Sequence, residues 1–63
     1  MLTKRQRQVM ELLAEGKTRP EIASSLHIGL RTVSTYIEEV REKVDAHTTA
    51  QTMAMCFRLE LIK

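Results

Sequence analysis

The feature that most constrains this chain is the three-residue link His27-Ile28-Gly29, which separates two segments of helical periodicity. A link this short, entered from a helix of about two turns, forces the two helices to cross at a steep angle, as in a helix-turn-helix. Ala23 is small where the helices would approach each other, and Ile28 brings an apolar side chain to the corner. A generic helical hairpin could use the same residues, so the pattern alone leaves both arrangements open.

Gly16, Pro20 and Gly29 divide the chain into four segments, each with helical periodicity. The first runs from about residue 4 to 14, the second is two turns long, the third covers about residues 30–43, and the fourth begins at Thr48. Capping boxes precede three of them, as the pairs Thr3–Gln6, Thr18–Glu21 and Thr48–Gln51. We therefore predict an all-α fold, a compact four-helix domain spanning residues 1–63 and containing a helix-turn-helix.

The third segment has the clearest amphipathic pattern, because its apolar residues recur at intervals of three and four. They are Leu30, Val33, Ile37, Val40 and Val44. The opposite face carries Arg31, Thr35, Glu38, Glu39 and Glu42, with Ser34 at its margin. This polar face is expected to lie away from the core.

The fourth segment carries more apolar residues than one core-facing stripe requires. Met53, Ala54, Phe57 and Leu61 are expected to face the other helices. Thr52, Met55 and Leu59, and with them Ile62, then fall on a second face, and apolar residues exposed in a row suggest a partner surface. We expect this face to form a weak homodimer contact; a helix that simply lies deeper in the core is the alternative.

The net charge of +2 is unevenly distributed. Residues 1–31 carry six basic and three acidic side chains, a net charge of +3, whereas residues 32–63 carry a net charge of −1. A basic first half suits a phosphate backbone, although a solvated surface of mixed charge would look the same. A single cysteine, Cys56, inside an apolar stretch favours a reduced thiol and a cytoplasmic location.

Other functional classes find little support in the residues. His27, His47 and Cys56 match no common zinc-ligand spacing. Glu38 and Glu39 are adjacent on a helix and do not face each other, so they make a poor acid–base pair. We expect no catalytic residues, no metal and no other cofactor, no membrane association, and a chain that is not an enzyme.

The segment LTKRQRQVMELLAEGKTRPEIASSLHIGLRTVSTY resembles the LuxR-type signature. That signature has L-T-x-R-E near its start, then G-x-[ST]-x-x-E-I-A-x-x-L, and then I-S-x-x-T-V-x-x-H. The residues in register are Leu2, Thr3, Arg5, Val9, Leu13, Gly16, Thr18, Glu21, Ile22, Ala23, Leu26, Ile28, Thr32, Val33 and Lys43. The resemblance extends over nearly the whole chain without gaps.

Five positions depart from the family pattern. Gln6 replaces the usual Glu, and Gly29 replaces the usual Ser as the cap of the third helix. Tyr36 stands where His is common, Asp45 where Gly usually ends the third helix, and Thr49 where Arg is frequent. Gln still closes a capping box and Asp tolerates a left-handed backbone, so we expect the fold to persist while the DNA contacts differ in detail.

The resemblance implies a four-helix DNA-binding domain whose third helix enters the major groove, in a bacterial transcription regulator that binds as a dimer. The base-reading positions of the family correspond here to Ser34, Thr35 and Glu38. We expect phosphate contacts from Thr18, Arg19, Arg31, Thr32, Tyr36 and Lys43. The partners expected are double-stranded DNA with two-fold-related half-sites and a second copy of the chain, with RNA polymerase as a further candidate.

Two alternatives remain beside this interpretation, and the branch of the family is also open. The acidic residues of the third helix would suit a protein-interaction module, and the promoter-reading region of a sigma factor has a similar shape. Within the family, Asp45 and the ending RLELIK resemble some quorum-sensing members, while members that follow phosphorylated receiver domains form the competing branch. In either branch we expect this chain to be the C-terminal effector domain of a longer regulator.

Overall fold

Four helices follow one another in a computed structural model that describes residues 1–62: α1 (Lys4–Ala14), α2 (Arg19–Leu26), α3 (Leu30–Lys43) and α4 (Thr49–Arg58). These residues contain no strand. The all-α, four-helix prediction is therefore confirmed, and the predicted bounds of the first and third helices agree with the structure. In the same part of the chain, no helix is both long and apolar enough to cross a membrane.

Threonine side chains begin three of the helices. Thr3 and Thr18 each form a complete capping box, with Gln6 and Glu21 respectively. The third predicted box is only half formed. Thr48 Oγ1 accepts the N–H of Gln51 at 3.0 Å, but Gln51 Oε1 accepts the N–H of His47 instead of that of Thr48, at 2.7 Å. The Gln51 side chain thus accepts from the N–H of His47, one residue further from the helix than the expected N–H of Thr48.

Each of the four helices in residues 1–62 is followed by one residue with a left-handed backbone. These residues are Gly16, His27, Asp45 and Glu60, with φ values of 90°, 56°, 55° and 58°. The N–H of the next residue donates to the carbonyl five positions earlier, as in the bond from Lys17 to Leu12 at 3.2 Å. This is the Schellman motif, which satisfies carbonyls left free at a helix end. The left-handed conformation expected of Asp45 is thereby confirmed.

One apolar core joins all four helices and both ends of the described chain. Its buried members are Leu2, Val9, Met10, Ile22, Val33, Ile37, Val40, Cys56 and Ile62. Ala23 and Ile28, the residues expected at the crossing of α2 and α3, are half-buried and pack against this core. Burial of apolar area is the main stabilising contribution in a domain of this size.

Leu30 departs from the predicted apolar stripe of α3, because its side chain is 51% exposed. It is the first residue of the helix, where the core has already ended, whereas Val33, Ile37, Val40 and Val44 are buried as predicted.

The predicted orientation of α4 is confirmed for Met53 and Leu61, which pack against the core, and wrong for Thr52, Ala54, Phe57 and Ile62. Thr52, which was expected on the exposed dimer face, is fully buried, and its hydroxyl donates to the Thr48 carbonyl at 2.8 Å. Phe57, which was expected in the core, is 46% exposed. The small side chains of Thr52 and Cys56, one turn apart, face the core, and this rotates the bulky Phe57 outward. Thr52 is therefore not available to a partner.

Candidate nucleic-acid interface

α3 presents one continuous polar strip opposite its buried face. Arg31, Thr35, Glu38, Glu39 and Glu42 are all exposed. Because Arg31 lies in the first turn and the three glutamates follow Thr35, the strip is cationic at its start and acidic toward its end. The amino-terminal half of the helix is therefore the part suited to approach a polyanion, and in helix-turn-helix proteins it is this half that contacts base edges.

The amino terminus of α3 also differs from those of the other helices. Gly29 provides no side-chain cap, whereas Thr3, Thr18 and Thr48 cap the other three described helices. No acidic residue lies in the first turn of α3. Its first N–H groups and the positive end of its dipole therefore meet no side-chain cap or carboxylate of the first turn, which favours an anion such as a phosphate.

The start of α2, where phosphate contacts were also expected, has fewer free backbone N–H groups than the start of α3. The Thr18 N–H donates to Glu21 Oε1 at 2.8 Å, and the Glu21 N–H donates to Thr18 Oγ1 at 3.3 Å. The backbone hydrogen bond from Thr18 lowers the pKa of Glu21, so this carboxylate stays ionised near neutral pH. Since Pro20 has no N–H, only the Arg19 N–H remains for a phosphate among the first four backbone groups.

Arg19 reaches from α2 across the beginning of both later helices. Its guanidinium donates to Ser34 Oγ on α3 at 3.1 Å and to Thr49 Oγ1 at the start of α4 at 3.4 Å. All three side chains belong to half-buried residues. The structure thus brings a predicted phosphate contact, Arg19, into direct contact with a predicted base-reading residue, Ser34.

Glu38 is held by an ion pair one turn along its own helix. Its Oε1 accepts from Arg41 Nε at 2.9 Å and from a terminal nitrogen of Arg41 at 2.7 Å, while the Glu38 side chain remains 61% exposed. The hydrogen bond from Arg41 lowers the pKa of Glu38, which keeps the carboxylate ionised and able only to accept. Arg41 is itself anchored to the carbonyl of Ala46 at 2.9 Å.

The remaining predicted contacts are distributed unevenly. Thr32 is exposed in the first turn of α3, and Tyr36 is half-buried against the core. Lys43 is not brought together with them, since it lies about 18 Å further along the helix axis than Arg31. Its ammonium donates to the Met1 carbonyl at 2.8 Å and to Gln6 Oε1 at 2.7 Å.

Sequence reasoning missed two residues of this surface. The ion pair of Arg41 with Glu38 could have been found from their i, i+3 spacing on a predicted helix. Thr49 carried no such signal, because its contact with Arg19 depends on how α2 and α4 are placed relative to each other. On α4, Leu59 is 52% exposed and Met55 is half-buried, so two of the three predicted dimer residues lie where a partner could reach them.

Comparison with known proteins agrees with this architecture. The profile of GerE, the luxR family of bacterial regulatory proteins, matches residues 1–56. The response regulator protein VraR from Staphylococcus aureus, and its counterparts in Staphylococcus saprophyticus and Staphylococcus epidermidis, are each 33% identical over all 63 residues. The chain spans 30% of the length of these relatives. With helix-turn-helix geometry and a family match over most of its length, the chain belongs to the luxR family of bacterial regulatory proteins, as a helix-turn-helix DNA-binding domain.

Proposed function

We propose that this domain binds double-stranded DNA in a sequence-specific manner, with α3 in the major groove. The observation that carries the proposal is the amino-terminal half of α3, where an uncapped helix start and the exposed Arg31 adjoin exposed polar side chains. A major groove accepts a helix of this kind and displays a distinct pattern of donors and acceptors for each base pair.

Base recognition falls to the residues of α3 that face outward beyond this start. Thr35 is exposed and offers a methyl group to thymine. Glu38, held ionised by Arg41, can accept a hydrogen bond from the amino group of cytosine. Ser34, at the edge of the strip, is the third base-reading residue.

Phosphate contacts come from Arg31 and Thr32 in the first turn of α3, and from Thr18, Arg19 and Tyr36 beside it. Lys43, near the end of α3, contacts a more distant phosphate. A contact with a phosphate fixes the position of the domain on the duplex and does not by itself select a sequence.

Selection of DNA sites from a random pool, followed by affinity measurements, tests these roles. Arg31→Ala should weaken cognate and scrambled duplexes alike, because charge neutralisation does not depend on sequence. Glu38→Ala should change the preference at one base pair, by about 1–3 kcal/mol of discrimination. The base-reading assignment fails if neither Glu38→Ala nor Thr35→Ala alters the selected sequence.

The relatives support a proposal about the larger protein that contains this domain. The chain covers 30% of the length of the VraR proteins, which supports the proposal that it is one domain of a longer regulator. We propose that it is the C-terminal effector domain of a cytoplasmic regulator, as the family resemblance implies. Their description as response regulators favours a receiver-domain branch over the quorum-sensing branch that the ending RLELIK suggested. RNA polymerase remains a candidate partner, for which the acidic end of α3 offers a surface.

A second copy of the chain is the other proposed partner. The exposed apolar side chains of Phe57 and Leu59, with Met55 beside them, form a patch at the end of α4. Such a patch is too small for the roughly 1,200 Å² of a standard stable interface, so the free domain is expected to be mostly monomeric. Two half-sites about one DNA turn apart would hold two copies together.

A further inference from the structure

Arg19 links three helices at the edge of the proposed DNA surface. It lies at the first position of α2, yet its guanidinium contacts Ser34 Oγ on α3 and Thr49 Oγ1 at the start of α4. Within residues 1–62, neither the Ser34 hydroxyl nor the Thr49 hydroxyl forms another side-chain hydrogen bond. The side-chain hydrogen bond of Ser34 therefore comes from a residue of α2.

In the contact between Arg19 and Ser34, only the guanidinium can be the hydrogen-bond donor. A serine hydroxyl has one O–H donor and two acceptor lone pairs, whereas a guanidinium only donates. In the contact at 3.1 Å, Ser34 Oγ is therefore the acceptor, and its O–H hydrogen is left for another acceptor. A hydrogen bond from a charged donor is stronger than a neutral one, and it polarises the hydroxyl so that its O–H donates better.

We infer that Arg19 is a specificity-determining residue: by donating to Ser34 Oγ, it commits the Ser34 hydroxyl to donate toward the DNA. Ser34 then selects a base that presents an acceptor in the major groove, which is guanine, adenine through N7, or thymine through O4. Cytosine, which presents its amino donor there, is disfavoured. This inference rests on the proposed function of α3.

Two further observations support this role. Thr49 Oγ1 holds the guanidinium from a second side, so that Arg19 is anchored between α3 and α4 rather than extended into solvent. The positive charge of Arg19 also helps to lower the pKa of Glu38, after the larger effect of the Arg41 hydrogen bond. A committed donor, Ser34, and a committed acceptor, Glu38, thus lie about one helical turn apart on α3.

A phosphate contact alone would behave differently. If Arg19 only neutralised a phosphate, its loss would weaken all DNA sequences about equally and reduce the salt dependence by about one charge. The test must therefore measure the preference at one base pair and not the affinity alone. Arg31, an exposed cation on α3 without a hydrogen bond to Ser34, is the matched control.

The experiment selects sites from randomised duplex DNA with the 63-residue chain. The same selection is carried out with Ser34→Ala, Arg19→Ala, Thr49→Val and Arg31→Ala, and circular dichroism verifies that each variant is folded. Ser34→Ala identifies the base pair whose preference depends on Ser34. The unsubstituted chain should enrich an acceptor base there. Removing that acceptor should lower its affinity about three- to tenfold. The analogues are a 7-deazapurine for N7, a guanine analogue that lacks O6, and a thymine analogue that lacks O4.

Arg19→Ala should lose the preference at this base pair and become insensitive to the modified base, whereas Arg31→Ala should bind all sequences more weakly and keep the preference. Thr49→Val, which leaves the charge in place, should lose part of the preference. Unchanged preference in both Arg19→Ala and Thr49→Val, or enrichment of cytosine at this position, would overturn the inference. If the unsubstituted chain selects a sequence and Ser34→Ala selects the same one, the inference is wrong but the proposed function stands. If the unsubstituted chain enriches no sequence, both the inference and the proposed function are wrong.

Discussion

At the scale of single residues, Gly29 is the position where this chain gives up stability at its proposed DNA surface. It precedes α3 with φ of −72°, an ordinary backbone conformation that needs no glycine, and its helix start has no side-chain cap. A Cβ at this position would meet only Thr32 Oγ1, at 3.8 Å, which is ordinary contact. Nothing in the local geometry therefore requires glycine here.

We expect Gly29→Ser to raise the free energy of unfolding by about 0.5–1 kcal/mol, because serine caps the helix and also reduces the freedom of the unfolded chain. Chemical denaturation monitored by circular dichroism measures this change. Gly29→Ala is the matched control, since alanine restricts the unfolded chain but cannot cap. A serine variant no more stable than the alanine variant would show that the cap contributes nothing.

At the scale of helices, all four carboxyl-terminal ends in residues 1–62 form the Schellman motif, each with a different residue in the left-handed conformation. Only Gly16 takes the left-handed conformation without a Cβ, whereas His27, Asp45 and Glu60 adopt it at a cost. That cost is about 1 kcal/mol or more for a residue with a side chain, and it is lower for Asp than for most others. Glu60, which has neither a short polar side chain nor burial, should bear the most of it.

Glu60→Gly is expected to stabilise the domain by about 0.5–1 kcal/mol, because glycine accepts a positive φ without steric strain. Thermal unfolding should show a corresponding rise in Tm. Glu60→Ala keeps the strain while removing the same carboxylate, so it should show little of this gain. Equal stabilisation by both variants would assign the effect to charge and not to backbone conformation.

The crossing of α2 and α3 gives a second prediction at this scale. Ala23→Leu should cost about 1–3 kcal/mol of stability, since the larger side chain overpacks a position that already packs against the core. Ala50→Leu, at an exposed position of α4, is the control and should have little effect. An unchanged Tm for Ala23→Leu would mean that the crossing has room at this residue.

Features that depend on residues close together in the sequence could be predicted, and features that depend on distant residues could not. Caps and helix ends depend on residues three to five positions apart, so the bounds of α1 and α3 could be predicted. The face of α4 that enters the core could not be predicted. Which of Thr52 and Phe57 is buried depends on how closely α4 approaches the other helices. The contact of Arg19 with Ser34, 15 residues later, likewise depends on the crossing angle. The sequence therefore identified the proposed DNA-binding helix but not the contacts around it.

At the scale of the whole molecule, a body of 28 × 19 × 19 Å leaves two neighbouring apolar side chains outside its core at the end of α4. Phe57 and Leu59 are about half exposed at the end of α4, and the chain then turns back so that Ile62 is buried. Leu2 enters the same core from the other end of the described chain. The exposed pair is therefore not a fraying terminus but part of an ordered surface.

The dimer proposal belongs to this scale. Met55→Glu should weaken binding to paired half-sites while leaving the affinity for a single half-site unchanged, because it places a charge in the proposed α4 contact and not on α3. Gel shifts on one and two half-sites measure both quantities, and sedimentation of the free domain should show mostly monomer. Equal affinity per site on single and paired duplexes would exclude a contact through α4.

The bond from Lys43 to the Met1 carbonyl has a mechanical consequence. It fastens the first residue of the chain to the last turn of α3, and the neighbouring bond to Gln6 fastens α1 at the same point. Because the bond to Met1 uses a main-chain oxygen, it does not depend on the side chain that stands there. Residue 1 is thereby held beside the last turn of α3, at the opposite end of that helix from Arg31 and the uncapped helix start.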